Sequence, residues 1–102
     1  MGRGMNATER AGLAAAIGTP CPWCGGIMRR KGRHPTRDRL RPGALGGSYA
    51  AGNVAIVCNP CNNSKGRLTL AQFLAALIVA RDPRWPKVAG FILARAVKRL
   101  LP

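Results

Sequence analysis

The apolar positions of the chain fall into four separate patterns. Residues 7–17 place Ala, Leu and Ile at helical spacing behind Asn6, and Glu9 follows three residues on. A helix is expected there, with Asn6 as its N-cap and Glu9 reaching back to the cap amide. Gly18 suits the C-terminal cap, and Pro20 forbids continuation. The run Asn53-Val54-Ala55-Ile56-Val57 is short and β-branched and is the clearest strand, with residues 36–40 as a second, shorter one. Leu70, Phe73, Leu74, Leu77 and Ile78 fall at i, i+3, i+4, i+7 and i+8, one apolar helical face behind Thr69 as N-cap. Pro83 ends that helix, and Pro86 suits the first turn of a last one. In the last helix Val88, Phe91 and Ile92 form an inner face, while Lys87, Arg95, Lys98 and Arg99 load the outside.

The intervening segments are punctuation. Residues 1–6 read as a flexible start. Cys21-Pro22-Trp23-Cys24-Gly25-Gly26 is a tight turn, and residues 42–52 form a loop with four glycines and no periodicity. Cys58 to Cys61 is a second turn, followed by a short helix over residues 62–65. The order is helix, hairpin, then helices, an α+β chain with no internal repeats. A length of 102 residues allows one domain. It divides into an N-terminal helix (1–20), a cysteine-bounded core (21–68) and a C-terminal helical pair (69–102).

Charge changes the picture most. There are 17 Lys and Arg against three acids, Glu9, Asp38 and Asp82, for a net charge of +14. Such a surface calls for an anionic partner, and phosphate neutralisation makes nucleic acid the leading class. The plainer alternatives are a solvated basic surface or an acidic membrane surface. No segment reaches the roughly 18 apolar residues of a membrane span. Residues 11–17 are too short and amphipathic for a good signal-peptide core. An intracellular, cytoplasmic location is therefore expected, where paired cysteines bind metal more often than they form disulfides.

The cysteines supply the candidate chemistry. Cys21 and Cys24 form one C-x-x-C pair, Cys58 and Cys61 another, with 33 residues between the pairs. Each turn can aim two thiolates at one tetrahedral ion, so a structural zinc ion held by all four is expected. Nearby Arg and Lys favour the thiolate form. A redox C-x-x-C fits poorly, because Gly25-Gly26 is a poor helix start and the second pair would be unexplained. A four-thiolate site leaves no open position, so this zinc is structural rather than catalytic. Asp38 stands inside a run of arginines. It reads equally as an ion pair with Arg37 or Arg41 and as a ligand for a hard divalent cation. Trp23 and Trp85 read as packing residues before base-stacking ones.

The block Pro35-Thr36-Arg37-Asp38-Arg39-Leu40-Arg41-Pro42, then Gly46-Gly47, Asn53 and Cys58-Asn59-Pro60-Cys61-Asn62-Asn63-Ser64-Lys65-Gly66, resembles the zinc-containing members of the HNH endonuclease family. The similarity covers roughly Cys21 to Phe73, about half the chain. It implies a ββα-metal fold in which a hairpin packs on a helix and zinc ties their bases, here with one N-terminal and two C-terminal helices added. It further implies hydrolysis of DNA phosphodiesters, with double-stranded DNA as partner and Mg²⁺, Mn²⁺ or a similar divalent cation as catalytic cofactor.

Residue by residue, Asp38 matches the family's metal-binding Asp. Asn53 matches the middle Asn that orients the general-base His, and Asn62 matches the metal position at the helix start. Lys65 matches a helix Lys expected at phosphate, beside Arg37, Arg39, Arg41 and Arg67 as nucleic-acid-binding residues. The departure is Arg39, which stands where the family has its base His. A guanidinium cannot accept a proton at neutral pH. The resemblance then implies weak or lost activity, with Arg39 binding or stabilising phosphate. The other reading is a non-catalytic, zinc-stabilised nucleic-acid-binding module on the same fold. The single histidine, His34, lies about 13 Å from Asp38 along an extended strand, beyond reach as a substitute base.

Overall fold

The β-branched run pairs with the basic segment ahead of it. In the computed structural model, which describes residues 4–101, strand β1 is Pro35–Arg39 and strand β2 is Val54–Cys58. They form a two-stranded antiparallel sheet whose register pairs Pro35 with Cys58, Arg37 with Ile56, Asp38 with Ala55 and Arg39 with Val54. Of the expected flexible start at residues 1–6, residues 1–3 lie outside the described residues, and Asn6 is held in place as the N-cap of the first helix.

Among the described residues there are four α-helices: α1 (Ala7–Ala16), α2 (Asn59–Lys65), α3 (Leu70–Val79) and α4 (Trp85–Leu100). The chain is thus α+β. Helix α1 starts where a capping box allows it: Asn6 Oδ1 accepts from the Glu9 amide at 2.8 Å, and Glu9 Oε2 accepts from the Asn6 amide at 3.1 Å. Helix α3 has the same device, with Thr69 and Gln72 capping each other's amides. Helix α2 begins at Asn59 rather than at residue 62. Cys58 is its N-cap, and Pro60, whose missing N–H costs nothing in a first turn, lies within that turn. Cys61 is consequently on the helix and not in a turn before it.

The core forms around the cysteines. Trp23 is 0% exposed and packs against Phe73 and Phe91, with ring centroids 5.5 and 5.9 Å away. Leu70, Phe73 and Leu77 are buried from α3, and Val88 from α4. Ile78, at the edge of the expected apolar face, remains half exposed, because α4 packs on the Phe73–Leu77 side. No helix among the described residues is long and apolar enough to cross a membrane.

Candidate metal centre and nucleic-acid interface

The first cysteine pair sits in a turn closed by two backbone hydrogen bonds, Cys21 N–H to Gly26 O and Gly25 N–H to Cys21 O, both 2.8 Å. Gly25 has φ +78°, a conformation that side chains disfavour, and a Cβ there would press on Lys87. The second pair bridges the end of β2 and the first turn of α2. The four Sγ atoms lie within 4.8 Å of one another, and Cys24 and Cys58 are 3.7 Å apart. Zn–S bonds of about 2.3 Å in a tetrahedron put sulfurs about 3.8 Å apart. The cluster therefore fits a metal ion such as zinc.

The surroundings suit four negative sulfurs. Amides of Trp23 and Cys58 donate to Cys21 Sγ, and that of Gly26 to Cys24 Sγ, each at 3.4 Å. Arg33 Nη1 lies 3.2 Å from Cys24 Sγ and 3.9 Å from Cys58 Sγ. Arg84 Nη1 lies 3.7 Å from Cys61 Sγ. The charge of Cys24 raises the Arg33 pKa above its ordinary value. The hydrogen bond from Cys61 holds Cys21 low, whereas the same contact and burial push Cys61 up. Around a divalent cation, the two guanidiniums would balance the excess negative charge of four thiolates. Arg33 and Arg84 were not legible as partners of specific cysteines, since nothing local in the sequence aims them at sulfur.

The second candidate constellation lies at the opposite end of the hairpin. Asp38 is 4% exposed and Lys65 is 1% exposed. Lys65 Nζ is 3.1 Å from Asp38 Oδ2 and donates to the Arg39 carbonyl at 3.0 Å. The acid's partner is thus Lys65 of α2, not Arg37 or Arg41. Lys65 itself is turned inward, so it is neither a surface lysine nor a contact for an external phosphate. Burial pushes the Asp38 carboxyl above its usual range, against the pull of Lys65 and Arg39. Asn62 faces the same gap between β1 and α2. Its Nδ2 donates to Thr36 Oγ1 at 3.0 Å and to the Arg37 carbonyl at 3.3 Å.

Asn53 is occupied elsewhere. Its Oδ1 accepts from the Arg41 amide at 2.7 Å, and its Nδ2 donates to the carbonyls of Arg41 and Ser48 at 3.0 and 2.7 Å. It closes the loop between the strands and orients no histidine. His34 precedes β1 at the cysteine end, where its carbonyl accepts from the Asn59 amide, so the structure does not bring it to Asp38.

The outer face of β1 is cationic. Arg37 and Arg39 both lie over the ring of Tyr49, at 4.3 and 4.6 Å from its centroid. Arg37 also pairs with Glu9 of α1 at 3.1 Å. Arg41 is exposed and donates from Nε to the Leu45 carbonyl at 2.8 Å, and Arg67 is exposed beyond α2. The structure thus gathers Arg37, Arg39 and Arg41 along one strand and its continuation. Comparison with known protein families, with curated proteins and with solved structures gives no match.

Proposed function

We propose that the chain is an HNH-type, zinc-stabilised module that binds nucleic acid, foremost double-stranded DNA, and that its hydrolytic activity is weak or lost. The observation that carries this reading is the buried pair of Lys65 and Asp38. An internal ammonium occupies the carboxylate that the family resemblance assigns to a divalent cation. Asn62 turns its amide nitrogen, not its oxygen, toward the same gap. As arranged, these residues do not fit a catalytic divalent ion. Arg39, a planar guanidinium in place of a general base, is suited to phosphate. Binding is supported by the +14 charge and by Arg39 on the outer face of β1 with the exposed Arg41 beyond it, which can neutralise backbone phosphates and release counterions.

A second reading, a slow metal-dependent endonuclease, is favoured by one observation. Asp38 and Asn62 face the same gap, and a swing of Lys65 with a flip of the Asn62 amide would present two oxygens to a cation there. The test uses supercoiled plasmid with Mg²⁺ or Mn²⁺ and a salt titration of duplex binding by fluorescence anisotropy. The native chain is expected to bind duplex in a salt-dependent manner and to leave plasmid essentially uncut. Under the second reading Arg39→His is expected to raise cleavage by about 10²–10⁴-fold, the usual worth of a general base, and under the first it leaves the plasmid uncut. Absence of duplex binding at low salt overturns the binding reading. Nicking by the native chain that Asp38→Ala abolishes establishes the nuclease instead.

A further inference from the structure

All three acids of the chain are already matched: Glu9 with Arg37, Asp38 with Lys65 and Asp82 with Arg84. Arg41, Arg95 and Arg99 take part in none of these pairs. A recess of about 530 Å³ opens between the loop that joins β1 to β2 and helix α4. Arg41, Arg95 and Arg99 line it, together with Gly46, Gly47 and Asn53. Two of the three guanidiniums are held by loop carbonyls. Arg41 Nε donates to Leu45 O at 2.8 Å, and Arg95 Nη2 donates to Gly52 O at 2.7 Å. Each such bond uses one of the five N–H groups of a guanidinium and leaves the others for a ligand.

We propose that this recess is a binding site for a phosphate group, taken from the backbone of the bound nucleic acid. The inference rests on the nucleic-acid-binding reading and adds a place where α4 takes part, beyond the strand face already described. Planar guanidiniums match phosphate oxygens in pairs, which is why convergent arginines select phosphate over smaller anions. The loop is preorganised by the three Asn53 hydrogen bonds, so little ordering is left to binding. The first turn of α3, at Thr69 and Leu70, also borders the recess and adds the positive end of a helix.

Arg95 is half-buried at this recess, where its side chain reaches Gly52. Burial and the nearby Arg99 charge both push its guanidinium below the ordinary arginine value. An anion seated between Arg95 and Arg99 reverses that repulsion. The cationic surface continues past Arg95 into a second recess of about 440 Å³, bounded by Gly52, Val54, Lys98 and Arg99. A backbone that enters at Arg41 therefore finds further basic groups beyond Arg95.

The experiment has two parts. First, the affinity of a fluorescent duplex is measured for the native zinc-loaded chain, Arg95→Gln, Arg99→Gln and the control Arg30→Gln, from about 50 to about 200 mM salt. Each lost phosphate contact lowers the slope of log K against log salt by about 0.9. Arg95→Gln and Arg99→Gln are each expected to lower it by about that much and to weaken binding about tenfold, with Arg30→Gln losing less. Second, the Arg Nε–H and the Gly46 and Gly47 amide signals of the native chain are followed by NMR with the same duplex and, separately, with inorganic phosphate. This needs no variant to fold. Shifts of Arg41, Arg95 and Arg99 on adding duplex support the site. Duplex binding with unmoved signals and unchanged slopes overturns it and leaves the function reading intact. Shifts with inorganic phosphate in a chain that binds no duplex support a phosphate site and overturn the nucleic-acid reading.

Discussion

The Lys65 ammonium lies 3.1 Å from Asp38 Oδ2, and the two side chains are 0% and 4% exposed. Residues 27 positions apart are locked together there, joining β1 to the last turn of α2. Removing one partner of such a pair strands a buried charge, which costs about 3–5 kcal/mol, whereas replacing both by apolar groups is often near neutral. Lys65→Met is therefore expected to lower stability by about that amount, and Lys65→Met with Asp38→Leu to recover much of it. Urea unfolding of the zinc-loaded proteins measures both. A Lys65→Met chain as stable as the native one would show that the pair is open to water.

The metal centre makes a separate demand. A chain this small buries a limited core, and its cysteines sit in the middle of that core beside Trp23. One zinc per chain is expected by elemental analysis, and chelator treatment is expected to unfold the protein as the metal leaves. Cys58→Ser should behave like the chelated protein. Retained near-ultraviolet circular dichroism after complete metal removal would refute a structural role.

Arg33 and Arg84 bear on the same centre from outside the ligand set. Each donates toward sulfur, Arg33 to Cys24 and Cys58 and Arg84 to Cys61. Outer partners of this kind typically carry about 10–100-fold in metal affinity. Arg33→Gln and Arg84→Gln are each expected to weaken zinc by about that factor, read by competition with a chromogenic chelator. Arg33→Lys, which keeps the charge and loses the fork, should fall between. Zinc affinities equal to the native value in both glutamine variants would show that backbone amides alone balance the sulfurs.

The sequence made the local devices legible and the long-range ones not. Asn6 with Glu9, Thr69 at its cap and the two C-x-x-C spacings each act over a few residues, so their chemistry is written in adjacent letters. Strand β2 was readable because β-branched residues leave few alternatives. Lys65 was not, since a lysine after Asn62-Asn63-Ser64 looks like any surface lysine until β1 brings Asp38 beneath it. Periodicity places Arg95 on the outer face of α4, yet it folds back on Gly52 because the loop crosses there. Asn53 matched a functional motif position, but its three hydrogen bonds depend on where Arg41 and Ser48 lie, which periodicity does not report.

Asp82 and Arg84 give the turn between α3 and α4 its acid dependence. Hydrogen bonds from the Arg84 side chain and amide lower the Asp82 pKa from 3.8 to about 2. Below 3.8 the unfolded chain then binds more protons at this group than the folded one. Its contribution to stability is complete above that value and is lost as the pH falls toward 2. Asp38 has the opposite sign: its folded value is raised, so its share is complete below 3.8 and is lost as the pH rises through the folded value. The stability difference between the native chain and Asp82→Asn is expected to be flat near neutrality and to shrink in acid. Taking the difference at each pH cancels the acid release of metal common to both. A difference that stays constant down to the lowest pH would mean that Arg84 does not hold Asp82 in solution.

Two adjacent glycines test the loop that Asn53 closes. Gly47 has no room for a side chain: a Cβ there would overlap the Arg41 carbonyl and sit 2.9 Å from the Pro42 carbonyl. Neither group can yield freely, because Arg41 O accepts from Asn53 Nδ2 and Pro42 O accepts from the Gly47 amide. Gly46 has open space around it but a φ of +85°. Gly46→Ala is therefore expected to cost about 1 kcal/mol of backbone strain with the loop still in place. Gly47→Ala is expected to cost about 1–3 kcal/mol and to displace the loop. Chemical denaturation gives the energies. The side-chain amide signals of Asn53 give the geometry, unchanged in Gly46→Ala and shifted in Gly47→Ala. If both variants leave those signals alone, the loop does not pack on Arg41, and the recess beside Arg95 loses its floor.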